Sequence, residues 1–211
     1  MLRRLVGSEM CIRDRLSRAL FNLRRSKNLL STDALKSLYY STFHCHLIHG
    51  IQIYSCVCDN ALKEIITKQK MAVRCIANQK YNAHSGPIFK ELNILPFESL
   101  VKYFNLKFMF EYKNNLAPRS FYNTWNTRGD RNFHYGLRNT HLYDIPRYKH
   151  EYIGRLPLCK IPRTWNEFHD PKNIRYLPSF NNFCSKLKKE LLDRIPVLCN
   201  RLICGSCHLN Q

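Results

Sequence analysis

The feature that most constrains the fold of this chain is the spacing of apolar residues, which recur at every third or fourth position throughout the first half. In an α-helix such spacing gathers apolar side chains on one face, which neighbouring helices can bury. Leu16, Ala19, Leu20 and Leu23 show the pattern in the first such segment. The spacing therefore predicts a mainly α fold, with a helical bundle over residues 16–118.

Polar residues, glycine and proline mark the expected ends of these helices. The segment Ser31–Asp33 can accept hydrogen bonds from the free amides of a first helical turn, and Asp59 or Asn60 can do so for a later helix. Gly50 can end or kink a helix, and Pro118 can stop one. The buried face of the third predicted helix consists of Leu62, Ile65, Ile66, Gln69, Ala72, Val73 and Ile76.

The second half of the chain has a different character. Residues 119–162 carry scattered basic, aromatic and proline residues, which predict a basic, loop-rich connector. Two short strands are expected in it, around residues 142–145 and 156–161. A C-terminal helical segment is predicted over residues 163–195, followed by a cysteine-rich tail at residues 196–211.

The first fifteen residues do not continue the helical pattern. Gly7 to Arg15 lacks clear periodicity and is typical of a translated library adapter rather than of a folded segment. Residues 1–15 are therefore interpreted as an artefactual leader outside the fold, and the chain is expected to be a fragment.

The charge balance points to a polyanionic partner. The chain has 34 Lys and Arg against 15 Asp and Glu, a net charge of +19. Such a charge repels itself in a compact monomer, and nucleic acid relieves it because each neutralised phosphate releases a counterion. A merely basic surface and an anionic membrane surface are the alternatives. The candidate phosphate-binding residues are Arg24, Arg25, Lys63, Lys68, Lys70, Arg74, Arg138, Arg147 and Lys149.

The last three of these residues lie in the connector, where basic and aromatic residues interleave. Such a mixture can stack on bases and hold phosphates. The alternative is a connecting loop whose aromatic side chains pack on the helical bundle, and the residues alone favour neither interpretation.

One stretch, residues 37–58, contains no Lys, Arg, Asp or Glu and is long enough to span a bilayer. Its histidines and hydroxyls favour a buried amphipathic helix instead, so no membrane partner is expected. The ten cysteines show no regular interval, which is typical of reduced thiols in an intracellular protein of the nucleus or cytoplasm.

No catalytic motif is found in the sequence. Two-metal phosphoryl transfer needs carboxylates close together, yet no two acidic residues are adjacent anywhere in the chain. The seven glycines are too dispersed for a phosphate-binding loop. No catalytic residue is therefore assigned.

The tail offers the sharpest metal candidate. Cys204 and Cys207 have the spacing of a zinc knuckle, and Cys199 and His208 can supply further ligands. A frayed, cysteine-rich terminus is the favoured interpretation, because the second ligand pair of an ordinary zinc motif is absent. Zinc at the tail is the one cofactor considered for this chain.

Several segments, in order along the chain, form a recognisable series. They are Leu38–Phe43 followed by His49-Gly50, Lys68–Arg74, Pro87–Pro96, Asn115–Pro118, Pro162–Asn166 and Ser179–Lys188. The series resembles the region after the palm in reverse transcriptases of non-LTR (LINE-type) retrotransposons. One departure is that Trp165-Asn166 is followed by Glu-Phe instead of the usual Leu-Pro of that family.

The resemblance implies a thumb-like helical bundle and a C-terminal extension, which in such enzymes grip the template–primer duplex. It further implies that the catalytic aspartates and Mg²⁺ belong to the fingers and palm of the same polyprotein, which this chain lacks. The expected partners are then RNA or an RNA–DNA duplex and that fingers–palm region, and the chain alone is expected to be inactive. The alternatives are a small basic binding module with a zinc site and a non-functional transposon relic.

Overall fold

A computed structural model describes the backbone of residues 2–130 and 140–196, and the side chains from residue 11 onward within these ranges. The described chain is mainly α-helical, as predicted. It divides into two compact units, the first formed by residues 1–100 with 189–211 and the second by residues 101–188.

The first unit is built from short and long helices joined by tight turns. They are α1 (Leu2–Ser26), α2 (Thr32–Leu38), α3 (Cys45–Ile48), α4 (Ile51–Tyr54), α5 (Asp59–Ile76) and α6 (Ser85–Glu91). The helix α7 (Phe97–Lys113) begins in this unit and continues into the second. A π-helical turn, Tyr39–His44, joins α2 to α3.

The core of the first unit lies between α1, α5 and the π-helical turn. Leu16 and Leu23 of α1 are fully buried, as are Tyr39 and Phe43, whose rings stack at 5.3 Å. Gln69 is the buried polar residue of α5. Its amide Nε2 donates to the Leu95 carbonyl at 2.9 Å and to the Tyr39 hydroxyl at 3.3 Å. These hydrogen bonds replace those that the amide loses to water on burial.

Two of the predicted helix boundaries are confirmed. Ser31 caps α2, and its hydroxyl accepts the amide of Ala34. Gly50 adopts φ +66° between α3 and α4, a left-handed conformation that glycine tolerates without a Cβ penalty. The predicted cap of α5 is wrong by one residue, since Asp59 is the first helical residue and Cys58 stands at the cap position.

The uncharged stretch 37–58 is therefore divided among α2, the π-helical turn, α3 and α4. Within the parts of the chain that the structure describes, no helix is both long and apolar enough to cross a membrane.

The start of α1 differs from the prediction. The helix begins at Leu2 instead of Leu16 and passes through the boundary at Arg15 without interruption. Residues 2–15 contain no proline and a single glycine, Gly7, so their chemistry does not stop a helix that the following residues nucleate. The adapter origin of residues 1–15 stays a prediction.

The second unit contains most of α7, α8 (Glu151–Arg155), α9 (Pro157–Glu167) and the first part of α10 (Phe180–Asp193). The strand expected around 156–161 is wrong, because Leu156 is the N-cap of α9 and residues 157–161 lie within the helix. Pro157 suits the first helical turn, where the amide it lacks has no partner. Short apolar runs do not distinguish strand from helix by periodicity alone.

A proline inside α9 leaves one backbone carbonyl of the helix without its usual hydrogen-bond donor. Pro162 has no amide hydrogen, so the Leu158 carbonyl four residues earlier receives no helical hydrogen bond from it. The indole Nε1 of Trp125, a residue of the same unit, donates to this carbonyl at 2.8 Å. Trp125 is buried, and the bond ties its loop to α9.

The strand expected around 142–145 is also absent; Tyr143 instead makes one isolated antiparallel bridge with Thr127. The side chain of Asn166 adds a second pairing to the backbone of Tyr143. Its Oδ1 accepts the Tyr143 amide at 3.0 Å, and its Nδ2 donates to the Tyr143 carbonyl at 2.8 Å. The Trp-Asn motif thus has a structural role here, because Trp165 is buried beside Arg175, whose guanidinium lies over its ring.

Candidate nucleic-acid interface

A groove of about 590 Å³ runs between α1 and α5 in the first unit. The residues that line it are Ser17, Leu20, Phe21, Arg24, Lys63, Glu64, Thr67, Lys68 and Met71. We call it the α1–α5 groove. It combines three cations, one carboxylate, two hydroxyls and an apolar floor, which is a suitable lining for a ligand with both charged and apolar parts.

Helical spacing explains why these side chains share one groove. Residues three and four apart on a helix are neighbours on its surface, and Ser17, Leu20, Phe21 and Arg24 follow this spacing on α1. The lining residues of α5 do the same. The adjacent apolar faces of both helices are buried, so the core of the unit holds the two sides of the groove together.

One end of the groove carries an ion-pair cluster. Nη1 of Arg13 lies 3.1 Å from Oε2 of Glu64, and Nζ of Lys68 lies 3.9 Å from the same oxygen. Lys68 also donates to the Arg13 carbonyl at 3.3 Å. Burial lowers the pKa of Lys68, and the nearby Glu64 carboxylate opposes that shift. The carboxylate therefore neutralises part of the positive charge at this end.

The other two cations of the groove are exposed, and in the part of the chain that the structure describes they contact neutral partners. Nζ of Lys63 donates to Oδ1 of Asn60 at 2.9 Å. Nη2 of Arg24 lies 3.4 Å from the sulfur of Met71, across the groove. Neither contact neutralises the charge, so both cations can form charge-assisted hydrogen bonds with phosphate oxygens.

No protein-family profile, curated protein or solved structure matches this chain.

Three of the predicted phosphate-binding residues are brought together by the groove, namely Arg24, Lys63 and Lys68. Arg25 lies beside it, with its guanidinium carbon 5.4 Å from the centre of the Phe21 ring. Lys70 is half-buried and does not line the groove.

Arg74, another of the predicted phosphate-binding residues, is buried. Arg74 is 8% exposed, and its Nε donates to the Ala83 carbonyl at 2.7 Å. The turn that follows α5 brings this carbonyl to the guanidinium. A hydrogen bond from a charged donor stabilises more than one from a neutral donor. Arg74 therefore fastens the turn after α5 to the helix.

Two other predicted residues lie in the second unit. Arg147 and Lys149 are exposed on the segment before α8, and Arg138 lies outside the described residues. Between the first two, Tyr148 accepts a hydrogen bond from Nη2 of Arg163 at 2.6 Å. The connector therefore does present basic and aromatic side chains to solvent, although Tyr148 is also tied to α9.

The predicted zinc ligands Cys199, Cys204, Cys207 and His208 lie outside the described residues. Within the described ranges, no group of three or more His, Cys, Asp or Glu side chains is arranged to hold a metal ion.

Sequence reasoning missed Phe21 and Met71, which are 58% and 38% exposed. A signal for Phe21 was present, because Arg24 and Arg25 follow it at helical spacing and place it on the basic side of α1. The same signal was present for Met71, which follows Lys68 at helical spacing and lies outside the predicted buried stripe of its helix.

Proposed function

We propose that the chain binds RNA or RNA–DNA duplex through the α1–α5 groove, as the template–primer gripping part of a non-LTR retrotransposon reverse transcriptase. The observation that carries the proposal is the convergence of Arg24, Lys63 and Lys68 from two helices on one groove. The net charge of +19 supports a polyanionic partner. The ordered motifs support the assignment to this class of enzyme.

In this proposal the chain performs no chemistry by itself. Several of its carboxylates have structural partners. Glu64 pairs with Arg13, Asp130 accepts hydrogen bonds from Thr127, and Asp170 accepts the backbone amide of Ile174. The metal-binding aspartates and Mg²⁺ would belong to a fingers–palm region, which would be both the source of catalysis and a protein partner.

Salt dependence of binding tests the proposal. The full chain is titrated against a labelled RNA–DNA duplex at several salt concentrations, and fluorescence anisotropy gives the affinity. We expect a steep linear fall of log affinity with log salt, because released counterions drive the binding. Affinity that does not depend on salt would refute the proposal.

A matched pair of variants locates the contact. Lys63→Gln removes a groove cation, and Lys80→Gln removes an exposed cation of the same unit outside the groove. We expect Lys63→Gln to reduce the salt slope by about 0.9, the value for one phosphate contact on a duplex. Lys80→Gln should leave the slope nearly unchanged, and equal effects of the two would argue against the groove.

A further inference from the structure

The floor of the α1–α5 groove is apolar and open to solvent. Phe21 is 58% exposed and Met71 is 38% exposed, while Leu20 beneath them is buried. A large aromatic ring with this exposure, framed by Arg24 and Lys63, is not required for holding a phosphate backbone. Phosphate contacts need only cations, hydroxyls and amides.

The apolar floor instead suits a flat, partly apolar ring. The guanidinium carbon of Arg25 lies 5.4 Å from the Phe21 ring centre, and Arg25 is not among the lining residues. The guanidinium covers one face of the ring, which leaves the other face for a second planar group. A base in the groove would also contact Met71, whose polarisable sulfur makes favourable contacts with aromatic rings.

We infer that the α1–α5 groove binds a single-stranded part of the nucleic acid, with one unpaired base stacked on Phe21 and its phosphates held by Arg24, Lys63 and Lys68. This inference rests on the proposed function and narrows it. An internal base of a duplex is already paired and stacked on both faces, so an unpaired nucleotide can place its face on Phe21 more readily. The groove volume of about 590 Å³ lies within the range of roughly 300–1,000 Å³ that ligand pockets have.

A protein helix is the competing occupant of an apolar groove. It would cover Phe21 and Met71, but it would also desolvate Arg24 and Lys63 and leave them unpaired unless it carried carboxylates at matching positions. Burying unpaired cations is unfavourable. The charge of the groove rim therefore favours a polyanion.

The test uses the full chain and two probes of matched length, a single-stranded oligonucleotide of about 12 nucleotides and the corresponding duplex. Both RNA and DNA forms of the single strand are included. One base of the single strand is 2-aminopurine, whose fluorescence falls when it stacks on an aromatic ring. The variants are Phe21→Ala, Phe21→Trp and the control Tyr81→Ala, which removes an exposed aromatic of the same unit outside the groove.

We expect Phe21→Ala to weaken single-strand binding at least fivefold, because the stacking of one base on an aromatic ring contributes at least that factor to affinity. The same change should abolish the quenching of 2-aminopurine. Phe21→Trp should retain the quenching, and Tyr81→Ala should change neither quantity. Because Phe21 is exposed, its replacement should leave the fold intact, which circular dichroism verifies.

Two unfavourable outcomes are distinguishable. If the chain binds single strand and duplex with salt-dependent affinity and Phe21→Ala alters neither, the stacking inference is overturned while the proposed function stands; this is the result expected if a protein covers the floor. If neither probe binds, the proposed function itself fails. A preference for the RNA or the DNA strand would identify the sugar that the groove accepts.

Discussion

Removing the single carboxylate of the α1–α5 groove should tighten nucleic-acid binding. The change is Glu64→Gln, which keeps the size of the side chain and removes its charge. Oε2 of Glu64 lies 3.9 Å from Nζ of Lys68, and the Glu64 side chain is 56% exposed. A phosphate that contacts this ammonium on its far side would then lie about 7 Å from the carboxylate.

The Coulomb repulsion between two unit charges at about 7 Å is about 0.6–1.2 kcal/mol when the effective dielectric constant is about 40–80, as an exposed site requires. Removal of that repulsion predicts an affinity gain of about three- to eightfold. The salt slope for a single strand should also steepen by up to about 0.7, because Arg13, released from its ion pair with Glu64, can neutralise one more phosphate.

Fluorescence anisotropy across a salt series measures both quantities. The control is Glu91→Gln, which removes the same charge from an exposed site of the same unit outside the groove. An equal gain in both variants would show that net charge, and not the groove, controls binding. No gain in Glu64→Gln would mean that phosphates do not approach Lys68, and the reasoning would be wrong.

Two further predictions concern the fold. Trp125→Phe leaves the Leu158 carbonyl without its indole donor and should lower the free energy of unfolding by about 1–3 kcal/mol. In a Pro162→Ala background the loss caused by Trp125→Phe should be smaller by more than about 0.5 kcal/mol, because the backbone amide that this substitution introduces can donate to that carbonyl. Urea unfolding of the two single variants and the double variant measures this. Additive losses would contradict the prediction. Burial lowers the pKa of His84, whose Nδ1 accepts the Gly86 amide. The contribution of His84 to the free energy of unfolding should be complete above about pH 6.5, the ordinary pKa of histidine, and be lost as the pH falls through the lowered pKa of the folded state. Unfolding curves of His84→Asn should show no such loss.

The helices of the first unit could be predicted because their signals are local. Ser31 caps its helix through its own hydroxyl, and Gly50 adopts the left-handed conformation that its lack of a side chain permits. The buried stripe of α5 follows from spacing alone, apart from Ile66, which is half-buried. For such features the sequence within one or two turns carries the determining chemistry.

The remaining features depend on distant partners. Arg74 was predicted to face phosphates because helical spacing places it away from the buried stripe, yet it is buried and its guanidinium donates to the Ala83 carbonyl. Residues 157–161 are helical, and the Leu158 carbonyl, to which Pro162 cannot donate, accepts the indole of Trp125 instead. In the candidate site the cations were predicted, whereas the apolar floor was not, because exposure of Phe21 is a property of the packed helices and not of the residue itself.

The two faces of α1 have separate consequences for binding. Leu16 and Leu23 are fully buried, so the core fixes the position of α1 against α5 and with it the distance across the groove. Arg24 and Lys63 lie on exposed surfaces that contribute little to this packing. Substitution of the cations should therefore change affinity without changing stability, whereas a core substitution such as Leu23→Ala should change both. That separation allows the loss of a contact to be distinguished from the loss of the fold.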